Sequence, residues 1–509
     1  MSQQIITAGQ ALPDAHAPVA SDVAVCIAGD RIVATGPRAQ IRAAFPDVPE
    51  RYEPQLIMIP ALVNSHDHGR GLGTTALGIP DDLLEIWLPG LWSQPTISPY
   101  LAALYDGLRL LRSGVCAVAH SHNPRDWRAM GDEAEATIRG YRDAGIRVAF
   151  HPPLIDQNAL VYDDRDAFLG SLPPDVLSAA QRFLTPPALN RDEYLALCTQ
   201  LLHRFHDPVA HTVHIQVSPA GGQWCSDALI GAAVDFAKTH GTRVQMHLLE
   251  TQYQRTYAKR RWGTTFPRHL EEIGALGPWL TLAHMVWSDP DDMALLAERG
   301  VGIAHNPSSN LRLRSGVAPL PELYAAGVAL GIGLDGHALD EDQDMLRELR
   351  LAWTLANRPG AAAASLSARE FLHIGTVGSA AITFGADAPL GRIAPGFLAD
   401  IVLLDHGSGL LDWTLGLHAP SPQTTAAERI PELLLRSVSR ANVRHVLVGG
   451  RWVVLDGRST TQDEELVAAA LRDELMQQAS DDRTHAAMDA AALGPYVRRF
   501  YRGWDRAAG

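Results

Sequence analysis

Between about residues 60 and 388 the chain reads as short apolar runs alternating with amphipathic helical stretches, and few folds accept that texture over so long a span. Repeated βα units build a parallel sheet covered by helices, and a series this long is expected to close into a (β/α)8 TIM-like barrel. Residues 242–248 make one such strand, behind a helix that Ser226 caps and Gly241 ends. Residues 280–284 make the next, with Ser288 as the expected cap of the helix that follows, and 301–304 and 328–334 continue the series. No solenoid-type repeat is detectable.

The two ends of the chain have a different texture. Residues 23–27 alternate, Gly29-Asp30 offers a turn, and Ile32 and Ala34 resume the pattern, which is a hairpin. Residues 397–404 and 443–448 also look like strands, and Gly449-Gly450 turns the latter into 452–455. The expected organisation is a small β-sandwich domain built from 1–59 and 389–458, a catalytic barrel over 60–388, and a helical tail over 459–509. Thr461 and Glu464 read as a capping box opening that tail ahead of Leu466, Leu471 and Leu475. The basic-aromatic stretch 496–504 is expected to pack on the barrel or on a neighbouring subunit.

Hydrophobic residues are 46% and charged residues 20% of the 509, the profile of a soluble chain with a substantial core. A net charge of −14 disfavours nucleic acid or an anionic membrane surface, which reward clustered Lys and Arg. No apolar run is long enough to span a bilayer, and the opening MSQQIITAGQALPDAHAPVA has no secretory pattern. Cys26, Cys116, Cys198 and Cys225 form no CxxC pair. These features together predict a cytoplasmic homo-oligomer acting on a small-molecule substrate, with neither nucleic acid nor membrane as partner.

His66-Asp67-His68 follows the apolar run 56–63, and residues two apart on a strand face the same way, so both imidazoles can address one ion. With 21 histidines in the chain, chance alone yields about one such pair. A second does occur at His120-Ser121-His122. The first pair gains weight from its company: His247 ends a strand with Glu250 three residues on, His284 ends the next strand, and Asp335 ends a later one ahead of Gly336. In a barrel the C-terminal strand ends converge, so these separated positions become one constellation. Residues 331–336 formally match GxGxxG, but the acidic run after them and the lack of an N-terminal βαβ unit exclude a dinucleotide site. No GxSxG elbow or P-loop is present.

Taken in order, IPALVNSHDH (59–68), DDLLEIWL (81–88), MHLLET (246–251), LAHMVW (282–287), HNPSSNLRLRSG (305–316), GLDG (333–336) and LADIVLLD (398–405) resemble the amidohydrolase superfamily. The resemblance is to its branch of metal-dependent deaminases and chlorohydrolases, which includes guanine deaminase and the s-triazine hydrolases. It implies metal ligation by His66, His68, His247 and Asp335, proton transfer by Glu250, and a substrate- or water-orienting role for His284. Some members bridge two metals with a carbamylated lysine, but the two lysines here, Lys238 and Lys259, follow the presumed fourth and fifth strands in helical runs. One divalent ion is therefore expected, zinc first, with iron or manganese as alternatives.

Such an ion lowers the pKa of a bound water to about 7, and Asp335 and His284 would orient that water. An amide ion is a poor leaving group, so the departing nitrogen must be protonated, which is the part expected of Glu250. Candidate substrate contacts are Trp92 in the first loop, Gln223 and Trp224 in the SPAGGQWCSD segment, His305 and Asn306, and His337 at the head of an acidic run. The leading expectation is a hydrolytic deaminase of an amino-substituted N-heterocycle. One alternative is the same scaffold cleaving a carbamate, urea, cyclic amide or carbon-halogen bond. Another is a silent binding protein, against which the complete ligand set and Glu250 both speak.

Overall fold

A computed structural model describes residues 3–184, 189–360, 365–405, 427–477 and 480–505. Eight parallel strands form the barrel: Leu62–Asp67, Val115–Ser121, Arg147–His151, Val213–Ile215, Val244–Leu248, Leu280–His284, Gly302–His305 and Ala329–Ile332. The first four pair in chain order, as do the last four. The halves meet where Val217 and Gly221 bridge to Val244 and His247. On the other side the Asp335 N–H donates to the His66 carbonyl at 3.0 Å and the Ser65 hydroxyl to the Ile332 carbonyl at 2.8 Å. Every strand residue but Ala329 is buried, as expected when one face lines the barrel and the other meets helices.

Two helix starts differ from the sequence expectation. Pro290 occupies the first turn of the helix Pro290–Glu298, so Asp289 is the cap, in a capping box with Asp292, and the Ser288 hydroxyl donates to the Met285 carbonyl instead. Asp463, not Thr461, takes the first N–H groups of the helix Glu464–Gln477, and the Thr461 hydroxyl donates to the Ala144 carbonyl. By contrast Ser226 and Gly241 cap and end the helix Asp227–His240 as read.

Strands from both chain ends share one eight-stranded sheet. Glu50–Pro60 pairs antiparallel with Ile401–Asp405 and so joins the N-terminal strands to the C-terminal ones. The sheet curls, because the hairpin of Ala20–Ala28 and Arg31–Pro37 returns to 396–399: the Ile32 N–H donates to the Phe397 carbonyl and the Ala399 N–H to the Asp30 carbonyl. Ile6, Val25, Ile27, Met58, Ile401 and Leu403 fill the space enclosed. Residues 406–426, within the stretch expected to complete this small domain, lie outside the described residues.

Barrel and sheet are bolted together by Arg147 and Asp400, a bidentate pair at 2.7 and 2.9 Å with both side chains at most 3% exposed. Asp400 also accepts the Gly449 N–H. Removing one partner of such a pair leaves the other charge buried alone, so Asp400→Ala is expected to cost about 3–5 kcal/mol in urea unfolding. A loss below about 1 kcal/mol would show that the two bodies are held by apolar packing alone. Among the described residues no helix is long and apolar enough to cross a membrane.

Candidate metal centre

The C-terminal strand ends carry the chemistry, and the backbone there is strained to aim it. Leu249, His284, Met285 and Asp335 have φ of +47°, +80°, +51° and +59°, a region L-residues seldom occupy and which costs of order 1–3 kcal/mol each. Gly333 lets the eighth strand's exit pass over His66, since a Cβ there would stand 2.6 Å from the His66 carbonyl oxygen. Asp67, between the two histidines, fixes their turn by accepting the N–H groups of His68 and Gly69 at 2.7 and 3.0 Å.

His66, His68, His247 and Asp335 each offer one ligand atom, and these atoms lie within 4.8 Å of one another. The Asp335 Oδ1 stands 3.2 Å from His66 Nε2 and 3.1 Å from His68 Nε2, and the Nε2 atoms of His68 and His247 are 3.4 Å apart. Four atoms about 2.0–2.2 Å from a tetrahedral ion would stand about 3.3–3.6 Å apart, close to these three separations, and an ion would draw in the wider pairs of the group. Each ring is held from behind: His66 Nδ1 by Gln245 Oε1 at 2.8 Å, His68 Nδ1 by the Ser121 carbonyl at 2.8 Å, and His247 Nδ1 by the Ala220 carbonyl at 2.6 Å. With an acceptor behind each ring, the proton sits on Nδ1 and the Nε2 lone pair faces inward. His66 Nε2 is buried without a hydrogen-bond partner despite its nearness to Asp335. An ion would satisfy that orphan, so the residues fit a divalent metal. Lys238 packs over the Trp279 ring at 4.1 Å and Lys259 lies on the helix Gln252–Trp262, so neither lysine enters the group.

Electrostatics agrees with the donor set. Burial pushes His68 down to about 4 and His247 well below the imidazole range, which keeps both rings in the neutral, ligating form. Burial would raise Asp335, but the His66 and His68 rings beside its Oδ1 outweigh it and hold the carboxyl well below its usual range. Gln245 is the outer support with the clearest consequence. Gln245→Leu should weaken metal affinity about 10- to 100-fold in a competitive chelator titration while leaving the fold intact; unchanged affinity would show that the ring needs no support.

Glu250 and His284 stand beside this group. Glu250 is 2% exposed, its Oε1 is 3.4 Å from the Ser315 hydroxyl and its Oε2 is 3.5 Å from His284 Nε2. Burial, then the charges of Asp335 and Glu85, push its carboxyl well above the usual range. His284 Nδ1 meets Asn310 Oδ1 at 2.9 Å, while its Nε2 has no hydrogen-bond partner and stands 3.8 Å from Asp335 Oδ2.

All of these except His66 line a cavity of about 420 Å³. Trp92, Trp224 and His337 are on its wall as expected, although His337 has both nitrogens engaged, with Thr74 and Asp81. Gln223, His305 and Asn306 do not reach the wall; they are fully buried behind it, and Asn306 Nδ2 lies 3.3 Å from His284 Nδ1. His120 and His122 form a separate buried chain with Tyr141 and Glu133. Glu85, which sequence reasoning left without a role, lines the cavity: burial lifts its carboxyl to about 7, Thr251 donates to one oxygen at 2.6 Å, and the Tyr162 hydroxyl faces the carboxyl. Its signal was a single glutamate inside the otherwise apolar turn LLEIWL.

A (β/α)8 barrel that gathers three histidines, an aspartate and a buried glutamate at its strand ends defines a metal-dependent hydrolase. The chain belongs to the amidohydrolase family, whose model matches residues 57–453. A model of the bacterial imidazolonepropionase-like composite domain also matches 24–47. A 5'-deoxyadenosine deaminase of Methanopyrus kandleri is 28% identical over 416 residues, covering 80% of this chain and 84% of the relative. An adenosine deaminase from Xanthomonas campestris with bound zinc superposes with a TM-score of 0.76 at 25% identity, over 94% of this chain and 98% of that one. The zinc complex of an atrazine chlorohydrolase from Arthrobacter aurescens TC1 shares the fold, with a TM-score of 0.76 at 24% identity over 93% and 100% of the two chains. The chain is thus an enzyme of the deaminase and chlorohydrolase branch that its motifs resemble.

Proposed function

We propose that the chain hydrolytically deaminates an amino-substituted N-heterocycle, at a site holding one zinc ion. Glu250 carries the reading: a buried carboxyl, pushed well above its usual range by burial, 3.5 Å from His284 Nε2 and on the same cavity as the ligand group. When bound, zinc supplies Lewis acidity and brings the pKa of water to about 7. Three imidazoles and one carboxylate suit zinc, with iron and manganese as the ions to compare. His284, anchored by Asn310, directs its free Nε2 at the reacting water, and Asp335 offers its second oxygen to the same place. Glu250 takes a proton from the attacking water and delivers it to the ring or amine nitrogen, so that ammonia rather than an amide ion departs.

The rest of the cavity supports the substrate class. Its volume exceeds the need of a bare ring, and its outer wall includes Leu91, Trp92, Leu160, Phe183 and Leu184. Two arginines also line it: Arg70 donates to the carbonyls of Asp335 and Gly336 and Arg125 to those of Leu91 and Gln94, while the Nε of each is buried without a hydrogen-bond partner. An adenine nucleoside, such as the 5'-deoxyadenosine named for the Methanopyrus relative, matches the outer wall. The test is ammonia release by zinc-loaded protein from 5'-deoxyadenosine, adenosine, aminopurines, pterins and aminotriazines. Hydrolysis without ammonia would sink deamination in favour of another carbon-nitrogen or carbon-halogen bond, and full metal loading with no turnover would indicate a binding protein.

A further inference from the structure

The C-terminal helix Ser480–Asp505 lies beyond the stretch matched by the family model, yet it touches three loops that wall the cavity. From the first loop, the short helix Leu84–Gly90 carries Glu85, and Ile86 rests against Gly494. Arg498 pairs with Asp82 just ahead of that helix, and Arg483 Nε donates to the Ser93 carbonyl beyond it at 3.2 Å. In the third loop, the Tyr501 hydroxyl accepts the backbone N–H of Tyr162 at 3.2 Å, and the two rings meet at 5.5 Å. From the fifth, Tyr253 packs on Tyr501 at 4.5 Å and Arg260 covers the Trp504 ring at 4.4 Å. Leu493, Val497 and Tyr501 are at most 1% exposed and belong to the main core.

Tyr162 and Glu85 both line the cavity, where the Tyr162 hydroxyl and Glu85 Oε2 find no partner beyond the interaction of these two side chains with each other. Buried polar atoms of this kind want a ligand group, and loops hold such atoms in place only when something rigid backs them. The C-terminal helix is that backing. We propose that Tyr501 is a positioning residue for substrate: through the Tyr162 N–H and its packing, it sets where the Tyr162 hydroxyl and Glu85 Oε2 stand, and so how tightly the non-reacting part of the substrate is held. The substrate part of this inference rests on the deaminase reading; the bracing part does not.

Tyr501→Phe removes only the acceptor, and Trp504→Ala loosens the end of the helix. In the full-length, zinc-loaded protein, both are expected to speed backbone hydrogen exchange at 84–90 and 160–163. Tyr501→Phe should also raise KM for 5'-deoxyadenosine about 5-fold, with kcat and zinc content unchanged, the signature of lost uniform binding. Unchanged exchange at both segments in both variants would overturn the brace. A fall in kcat with KM unchanged would overturn the positioning role, since a substrate-holding residue acts on binding. If 5'-deoxyadenosine is not turned over by the unmodified enzyme, it is the substrate reading that fails, and the exchange measurement alone decides for or against the brace.

Discussion

Glu250→Gln should yield a protein that folds and binds zinc normally but releases ammonia at least about 10²-fold more slowly, with 10⁴-fold within reach. The substitution keeps size and removes only the capacity to carry a proton. Burial, Asp335 and Glu85 all push the Glu250 carboxyl upward, so a neutral amide of the same size suits the same surroundings. Stability should therefore change little, and the loss falls on proton delivery. Glu250 is not among the four ligand residues, so metal content should match that of the unmodified enzyme. The measurement is kcat for ammonia release beside metal analysis of the same sample. Activity above about a tenth of the original would assign proton transfer to another group.

Such a prediction could be framed from sequence because strand ends are unusually legible. His66, His247, His284 and Asp335 each close an apolar run or follow one closely, and the barrel brings such positions together whatever the helices between them do. Loop residues carry no such rule. His305 and Asn306 have the same chemistry as site residues, yet the seventh strand turns them behind His284, and nothing in HNPSSN encodes that direction. Gln223 and Trp224 are adjacent, but only the indole reaches the cavity. Glu85 was hidden by its apolar neighbours, since a carboxyl among Leu, Ile and Trp registers as one polar position on a buried helix. The Tyr501–Tyr162 contact spans 339 residues and pairs two tyrosines with no local mark. Helix starts failed where a neighbour's constraint outweighed the best-looking cap: Pro290 moved one start to Asp289, and a bond to Ala144 drew Thr461 away from the other.

Stripping the metal with a chelator should abolish turnover, at least about 10³-fold, which corresponds to the several kcal/mol that an ion contributes to such hydrolyses. Zinc should restore activity, and the melting temperature should rise with free zinc, because an ion that binds only the folded chain stabilises it by about 2.7 kcal/mol at a hundred times its Kd. The sharper test separates the ligands from their neighbour. His247 has its Nδ1 tied to Ala220 and its Nε2 among the ligand atoms, so His247→Ala should lose metal and activity together. His284 lies against Asp335 but has its Nδ1 on Asn310, so His284→Ala should keep the metal and lose turnover. Metal analysis of the two variants decides: loss of the ion from His284→Ala would make that histidine a ligand, and two ions per chain in the unmodified protein would overturn the single-ion site. Retention of the ion by His247→Ala would overturn the part given to that histidine as a required ligand.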